Sequence, residues 1–587
     1  MAFPPQFRID IMKRHDTPNP VHRYRLAPAI RLVVLGLFLV GVPALAASPP
    51  PAPHDIRLVL QITVDQLRGD QPLRYRDRWS ADGFARLYRR GAVFSDAHHG
   101  HANTETIVGH ATLATGADPS VHGMIGNAWF DRESGSLRYN IEDAAFPIVG
   151  NDEGPVTKGA LAKSSKSSGR SPVAMLAPTI ADSIALSGNG RAKVFAVSIK
   201  DRGAVPMAGR AGKALWWSNA SGEFISSTWY YPDGRLPAWA VRANARREAD
   251  AVAGRAWTLL LDPSTYRFAS RDDAPWEVPY AGMTRTFPHV FDRGALGASF
   301  YTAVSASPFG DEMLLGLTRD LIAAENLGRD DVVDYLSVSF SSNDLVGHRY
   351  GPSSLESEDE ILRLDRTLGA LMRAADEAAG EGHVLVVLSS DHGVAEAPAE
   401  RLEHGLDGGR VSMKEFESSG SVQAIVRRHG GSLILEDWPP YLYLDRKTLA
   451  ARGLDAERAA RELAAELRKV PGIAAAFTRG DIENGRLADT DLAKSVARTW
   501  HPARSGDVYV VPEPGWQISL EADAGAKGAS SHGSPWRYDT FVPLIFEGPG
   551  VPAVTISRRV ETIAAAPTIA ALLDLPPPKK SPAQRLF

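Results

Sequence analysis

The chain has no cysteine in 587 residues. That absence excludes disulfides, thiolate zinc sites, a cysteine nucleophile and lipid attachment through sulfur. Any metal site must be built from His, Asp and Glu. Excess basic charge is missing too: 65 Lys and Arg face 69 Asp and Glu, a formal net charge of −4, so no electrostatic footprint for nucleic acid exists. Internal repeats and coiled-coil heptads are absent. The apolar run from Leu32 to Val42 is too short to cross a bilayer as a helix.

That run has another reading. Arg23, Arg25 and Arg31 precede it, and Ala44-Leu-Ala46 follows as a small-residue cleavage site. Residues 1–46 are therefore expected to be a secretory signal, with Met12 a possible true start and a membrane anchor the rival reading. Its loss leaves no stable membrane anchor and a periplasmic or secreted protein. Residues 47–54 are a proline-rich linker.

Apolar runs then recur: Arg57–Val64 ends at Asp65, Val194–Ile199 at Lys200, His383–Ser390 at Asp391 and Pro543–Glu547 at Gly548, and Asp334–Phe340 is followed closely by Asp344. Continuous apolar runs are the pattern of buried parallel strands. Helical patterns lie between them, at Thr179–Ser187 and Leu355–Ala379, and Ile107 to Gly116 reads as a helix with a glycine stop. The expected fold class is α/β, a mostly parallel central sheet with helices on both faces. Residues 55–409 and 526–580 are expected to form one domain, and 410–525 an inserted cap with a helix near 454–469.

Ligands of such sheets collect beyond the carboxyl ends of the strands. Asp65, Asp344, Asp391 and His392 fall there. His348 follows Asp344 by one helical turn, and His532 stands just upstream of another strand. Singly, each is as well explained as a structural ion pair. Together, three Asp and three His suit two metal sites with open positions, able to clamp both oxygens of a phosphoryl transfer. The nucleophile is then water or a side chain. Thr104 and Thr106 precede a helix whose N-terminus offers N–H groups to a phosphate.

The motifs are Val64-Asp-Gln66, Thr104-Glu-Thr-Ile-Val-Gly-His110, His122-Gly-Met-Ile-Gly-Asn127, Ser198-Ile-Lys-Asp-Arg-Gly-Ala204, Asn343-Asp-Leu-Val-Gly-His348, Ser390-Asp-His-Gly393 and Ser531-His-Gly-Ser-Pro-Trp536. In this order they resemble the alkaline phosphatase superfamily, most closely its bacterial phosphate-irrepressible (PafA-type) branch, over residues 55–575. The resemblance implies Thr106 as nucleophile and Asn127, Lys200 and Arg202 as contacts to the phosphoryl oxygens. It implies two Zn2+, one on Asp344, His348 and His532, the other on Asp65, Asp391 and His392, with Thr106 as an added ligand. Small phosphomonoesters are the implied substrates, through a phosphothreonine, in a monomer. A nucleotide pyrophosphatase or phosphodiesterase of the same superfamily is the alternative, and the Lys200/Arg202 pair argues against it. An exported binding protein that lost activity would be expected to lose ligands, and all six are present.

Several features read as bland. Arg68-Gly-Asp70 belongs to a strand-end loop, and His98, His99 and His101 to a polar surface loop. His110 and His122 are expected as hydrogen-bonded support, and Thr104 as a bystander. Relatives often carry Gly-Pro after the threonine, so Ile107-Val108 is expected to reshape the pocket wall.

Overall fold

The computed structural model describes residues 56–587, apart from 152–168, 520–527 and positions 282, 295, 432, 582 and 583. The signal and linker readings lie outside the described residues. Among those described, no helix is long and apolar enough to cross a membrane.

Eleven strands form the main sheet. In chain order they are Leu58–Val64 (β1), Ala92–His98 (β2), Ile148–Val149 (β3), Val194–Ser198 (β4), Lys213–Ser218 (β5), Glu223–Ser227 (β6), Asp334–Phe340 (β7), Val384–Ser389 (β8), Phe541–Glu547 (β9), Val554–Ile556 (β10) and Val560–Glu561 (β11). Their spatial order is β10-β2-β9-β8-β1-β7-β4-β5-β6-β3, with β11 beside β2. The centre is parallel: β1 pairs with β7 and β8, β7 with β4, and β4 with β5. Alternation along β1 explains its unbroken apolar run. Leu58, Leu60, Ile62 and Val64 enter one core cluster while Val59 enters another, so both faces are covered.

One strand departs from the expectation. β9 is antiparallel to both β8 and β2. Its N-terminal end therefore lies at the edge where the parallel strands end. This reversal is why His532, upstream of its strand, reaches the same edge as residues downstream of theirs.

Residues 409–519 carry a separate four-stranded sheet, Ile434–Trp438, Tyr441–Leu444, Val508–Pro512 and Ile473–Thr478. It has its own apolar cluster, built on the amphipathic helix Ala456–Leu467.

Candidate active site

Asp65 follows β1 directly, its N–H bonded to the Phe340 carbonyl of β7 at 2.8 Å. Helix α1, Thr106–Thr115, begins at Thr106 and ends at Gly116, whose φ of +63° is the left-handed cap expected of a glycine stop. Helix α2, Ser342–Tyr350, carries Asp344 and His348 one turn apart. Asp391 and His392 follow β8, and Lys200 follows β4. The strand ends thus bring these predicted side chains into one cluster, buried except at the half-buried His348.

The Lys200 ammonium lies 2.5 Å from carboxylate oxygens of both Asp65 and Asp344. His348 Nε2 is 3.3 Å and His532 Nε2 3.7 Å from Asp344 Oδ1. His392 Nε2 is 3.4 Å from Asp65 Oδ1 and from Asp391 Oδ2. The rings of His392 and His532 stack at 3.5 Å.

Each of these three histidines has Nδ1 against a backbone carbonyl: His348 on Ser530 at 2.9 Å, His532 on Thr104 at 2.7 Å, and His392 on Gly393 at 3.0 Å. A carbonyl can only accept, so Nδ1 carries the proton in each. Every Nε2 of a neutral ring is then a lone pair aimed into the cluster, the arrangement that outer hydrogen bonds impose on metal-binding imidazoles.

The electrostatics point the same way. Burial, then Asp344 and Asp391, push the Asp65 carboxyl well above the usual range, against the pull of Lys200. At Asp344 burial is outweighed by Lys200, His348 and His532, and its carboxyl is held well below that range. Burial, then His392 and His348, push His532 well below an ordinary imidazole. Three carboxylates therefore share one ammonium at the cluster's centre. Both oxygens of Asp65, Asp391 Oδ2 and His392 Nε2 are sealed from solvent without a hydrogen bond of good geometry. Carboxylate oxygens and an imidazole nitrogen gathered at 3.4 Å, with Lys200 the one ammonium among them, are a donor set that further cations would satisfy. The donor set, imidazole plus carboxylate, suits zinc-type ions.

Among the described residues, two groups have ligand atoms within 4.8 Å of one another: Asp344, His348 and His532, and Asp65, Asp344 and His392. The first matches the expected grouping. In the second, Asp344 stands where Asp391 was expected. Asp391 Oδ1 is occupied by the N–H groups of Gln66 and His392, and Oδ2 also faces His110 Nδ1 at 3.3 Å.

Thr106 is 1% exposed, and among the described residues its hydroxyl makes no hydrogen bond. Asn127 is tied to the same helix end, its Oδ1 accepting the Ile107 N–H at 3.3 Å. That bond fixes the amide orientation and leaves Nδ2 as a donor. Arg202 lies in the field of Tyr139, Asp201 and Asp65, which keep it charged against burial, and its buried Nε has no hydrogen-bond partner.

A model of the type I phosphodiesterase / nucleotide pyrophosphatase family matches residues 59–535. The chain belongs to that family. It is a phosphoester hydrolase of the alkaline phosphatase superfamily. Alkaline phosphatase PafA of Elizabethkingia meningoseptica is 30% identical to it, over 93% of this chain and 95% of the relative. Alkaline phosphatase PhoV of Synechococcus elongatus is 31% identical, over 89% and 91%. The crystal structure of PafA superimposes with a TM-score of 0.81 at 29% identity, covering 92% of this chain and 99% of that one. Venom phosphodiesterase 2 of Crotalus adamanteus matches over 71 residues, 12% of this chain.

For this family member, three expectations change. His98, His99 and His101 are buried, not a surface loop. His99 Nε2 meets the Ser390 carbonyl at 3.0 Å and Nδ1 the Thr562 hydroxyl at 2.8 Å, so it pins β2's exit beneath the Asp391 turn. Thr104 is no bystander: its carbonyl orients His532, and its hydroxyl accepts from Gly533 N–H and donates to the Ser534 carbonyl. Ile107 and Val108 are fully buried in the main core and form no exposed pocket wall. Other readings agree with the structure. Arg68 is buried against Asp70 and Glu396, which leaves no presented tripeptide. His110 spans the Thr106 carbonyl, Asp391 and Ser339.

Gln66 went unassigned in the sequence. Its backbone is left-handed at φ +66°, its N–H reaches Asp391 and its side-chain amide donates to Asp344 at 2.8 Å. Only that turn lets one residue bond both carboxylates, and no spacing in the sequence announces it.

Gly109 sets the distance between α1 and the Asp391 turn. A Cβ there would lie 1.9 Å from the Asp391 carbonyl oxygen. Gly109→Ala must push α1 and its threonine away from the cluster. It is expected to cost about 1–3 kcal/mol of stability and to lower turnover more than its melting shift explains, checked by denaturant melts beside kinetics.

Proposed function

We propose that the protein is an exported, zinc-dependent phosphate monoesterase that acts through a phosphothreonine at Thr106 and releases inorganic phosphate. The observation that carries this reading is the convergence of three oriented histidines and three carboxylates beside Lys200 and Arg202. Residues 55–409 and 526–580 form its catalytic domain, 410–525 an inserted cap. It works as a monomer in the periplasm or the medium, after loss of residues 1–46.

Asp344, His348 and His532 would hold one metal ion, and Asp65, Asp391 and His392 the other. Such ions lower the pKa of a bound hydroxyl and neutralise charge on the attacking and leaving oxygens. The chain supplies the rest. Asn127 Nδ2 and Arg202 bind the non-bridging phosphoryl oxygens. Thr106 Oγ1 attacks phosphorus as the bond to the leaving alcohol breaks. Water then cleaves the phosphothreonine, freeing phosphate and restoring the hydroxyl.

Two cations beside the phosphoryl group favour a dianionic monoester over a monoanionic diester. Four relatives that match along most of the chain bear alkaline phosphatase names and one is named a calcium-transporting ATPase, whereas the venom phosphodiesterase match is short. The test is metal dependence. Chelator-treated protein is expected to lose hydrolysis of an aryl phosphate and to regain it with about two equivalents of zinc per chain. Full turnover in protein shown to be metal-free by elemental analysis would reject the proposal.

A further inference from the structure

Glu105 precedes Thr106 and is the N-cap residue of α1, yet its side chain does not cap the helix. An N-cap carboxylate ordinarily accepts an N–H of its own first turn. This one reaches the other way, to the 125–127 turn. Glu105 Oε2 accepts the Asn127 N–H at 2.6 Å and Asn103 Nδ2 at 3.3 Å. Asn103 Nδ2 also donates to the Ile125 carbonyl at 2.8 Å. Gly126, between these contacts, has no room for a side chain, since a Cβ would stand 2.9 Å from Glu105 Oε2.

Asn127 is therefore held at four points. Glu105 takes its N–H, Asn140 donates twice to its carbonyl, and Ile107 N–H meets its Oδ1. The Asn140 and Ile107 bonds use the carbonyl and the amide oxygen. Ile107, which follows Thr106, holds the Asn127 side chain, and Glu105, which precedes Thr106, holds the Asn127 backbone. At 2.6 Å the Glu105 bond is the shortest of the four. Tyr441 and Tyr509 of the second sheet lie within the electrostatic reach of Glu105.

We infer that Glu105 is a positioning residue, whose carboxylate fixes the Asn127 amide relative to Thr106 so that Nδ2 meets a phosphoryl oxygen. The inference rests on the phosphatase reading above. Its content is a coupling: Glu105 acts through Asn127 and contributes little without it.

A double-mutant cycle reads that coupling. kcat/KM for an aryl phosphate and inhibition by inorganic phosphate are measured for wild type, E105A, N127A and E105A/N127A, with melting temperatures alongside. E105A is expected to lose roughly ten- to a hundred-fold in kcat/KM and to weaken phosphate inhibition, as N127A does. In the N127A background, E105A should cost under about threefold. E105Q keeps an acceptor oxygen and should recover most of the rate. E105D keeps the charge but shortens the reach, and it carries the same cycle if E105A does not fold. Multiplicative losses in the double variant would overturn the inference and leave the phosphatase reading intact. An N127A enzyme at the wild-type rate would overturn the inference together with the role of Asn127, whereas the phosphatase reading falls only if the metal-free protein keeps full turnover.

Discussion

Thr106→Ala is expected to lower kcat/KM for an aryl phosphate by at least about three orders of magnitude, with bound metal and fold unchanged. The expectation follows from what the side chain does and does not touch. Thr106 is buried at the first position of α1, where alanine is a good helix former, and its hydroxyl holds no other group in place among the described residues. Its removal therefore takes away a reacting oxygen and little structure. Thr106→Ser keeps that oxygen and should retain most of the rate. Melting curves and elemental analysis of both variants separate lost chemistry from lost folding. Near-wild-type turnover of a folded, metal-loaded T106A would assign the nucleophile elsewhere.

Arg202→Ala is expected to lower monoester kcat/KM by about a hundred- to a thousand-fold and diester kcat/KM far less. A phosphate monoester presents two negative charges to the site, and the diester presents one. The Arg202 guanidinium stays charged and has a buried Nε without a partner, so it is poised for an anion. Lys200 differs. Its ammonium is clamped between Asp65 and Asp344, and its loss leaves three carboxylates uncompensated. Lys200→Ala should therefore perturb metal affinity as well as selectivity, and the ratio of monoester to diester turnover should fall most cleanly in R202A.

Particular elements show how far the sequence was readable. The central strands were legible because β1, β7 and β8 are buried on both faces and so spell unbroken apolar runs. Asp65, Asp391 and Lys200 were legible because each closes such a run, and Asp344 because it follows one closely. The direction of β9 was not, since an apolar run carries no sign of its orientation. The burial of His98, His99 and His101 was hidden too, because their partners, Thr540, Ser390 and the Asn103 carbonyl, are mostly supplied by distant segments. Thr104, Gln66 and Glu105 share that limit. Each acts through a hydrogen bond to a loop that only folding brings near, and side-chain polarity alone does not say which way it turns.

The most direct test of the account is one comparison on the zinc-loaded wild-type protein: kcat/KM for an aryl phosphate against kcat/KM for the methyl aryl diester with the same leaving group. The account predicts a monoester preference of about a hundredfold or more, set by the cations beside Thr106. Equal turnover, or faster hydrolysis of the diester, would contradict it.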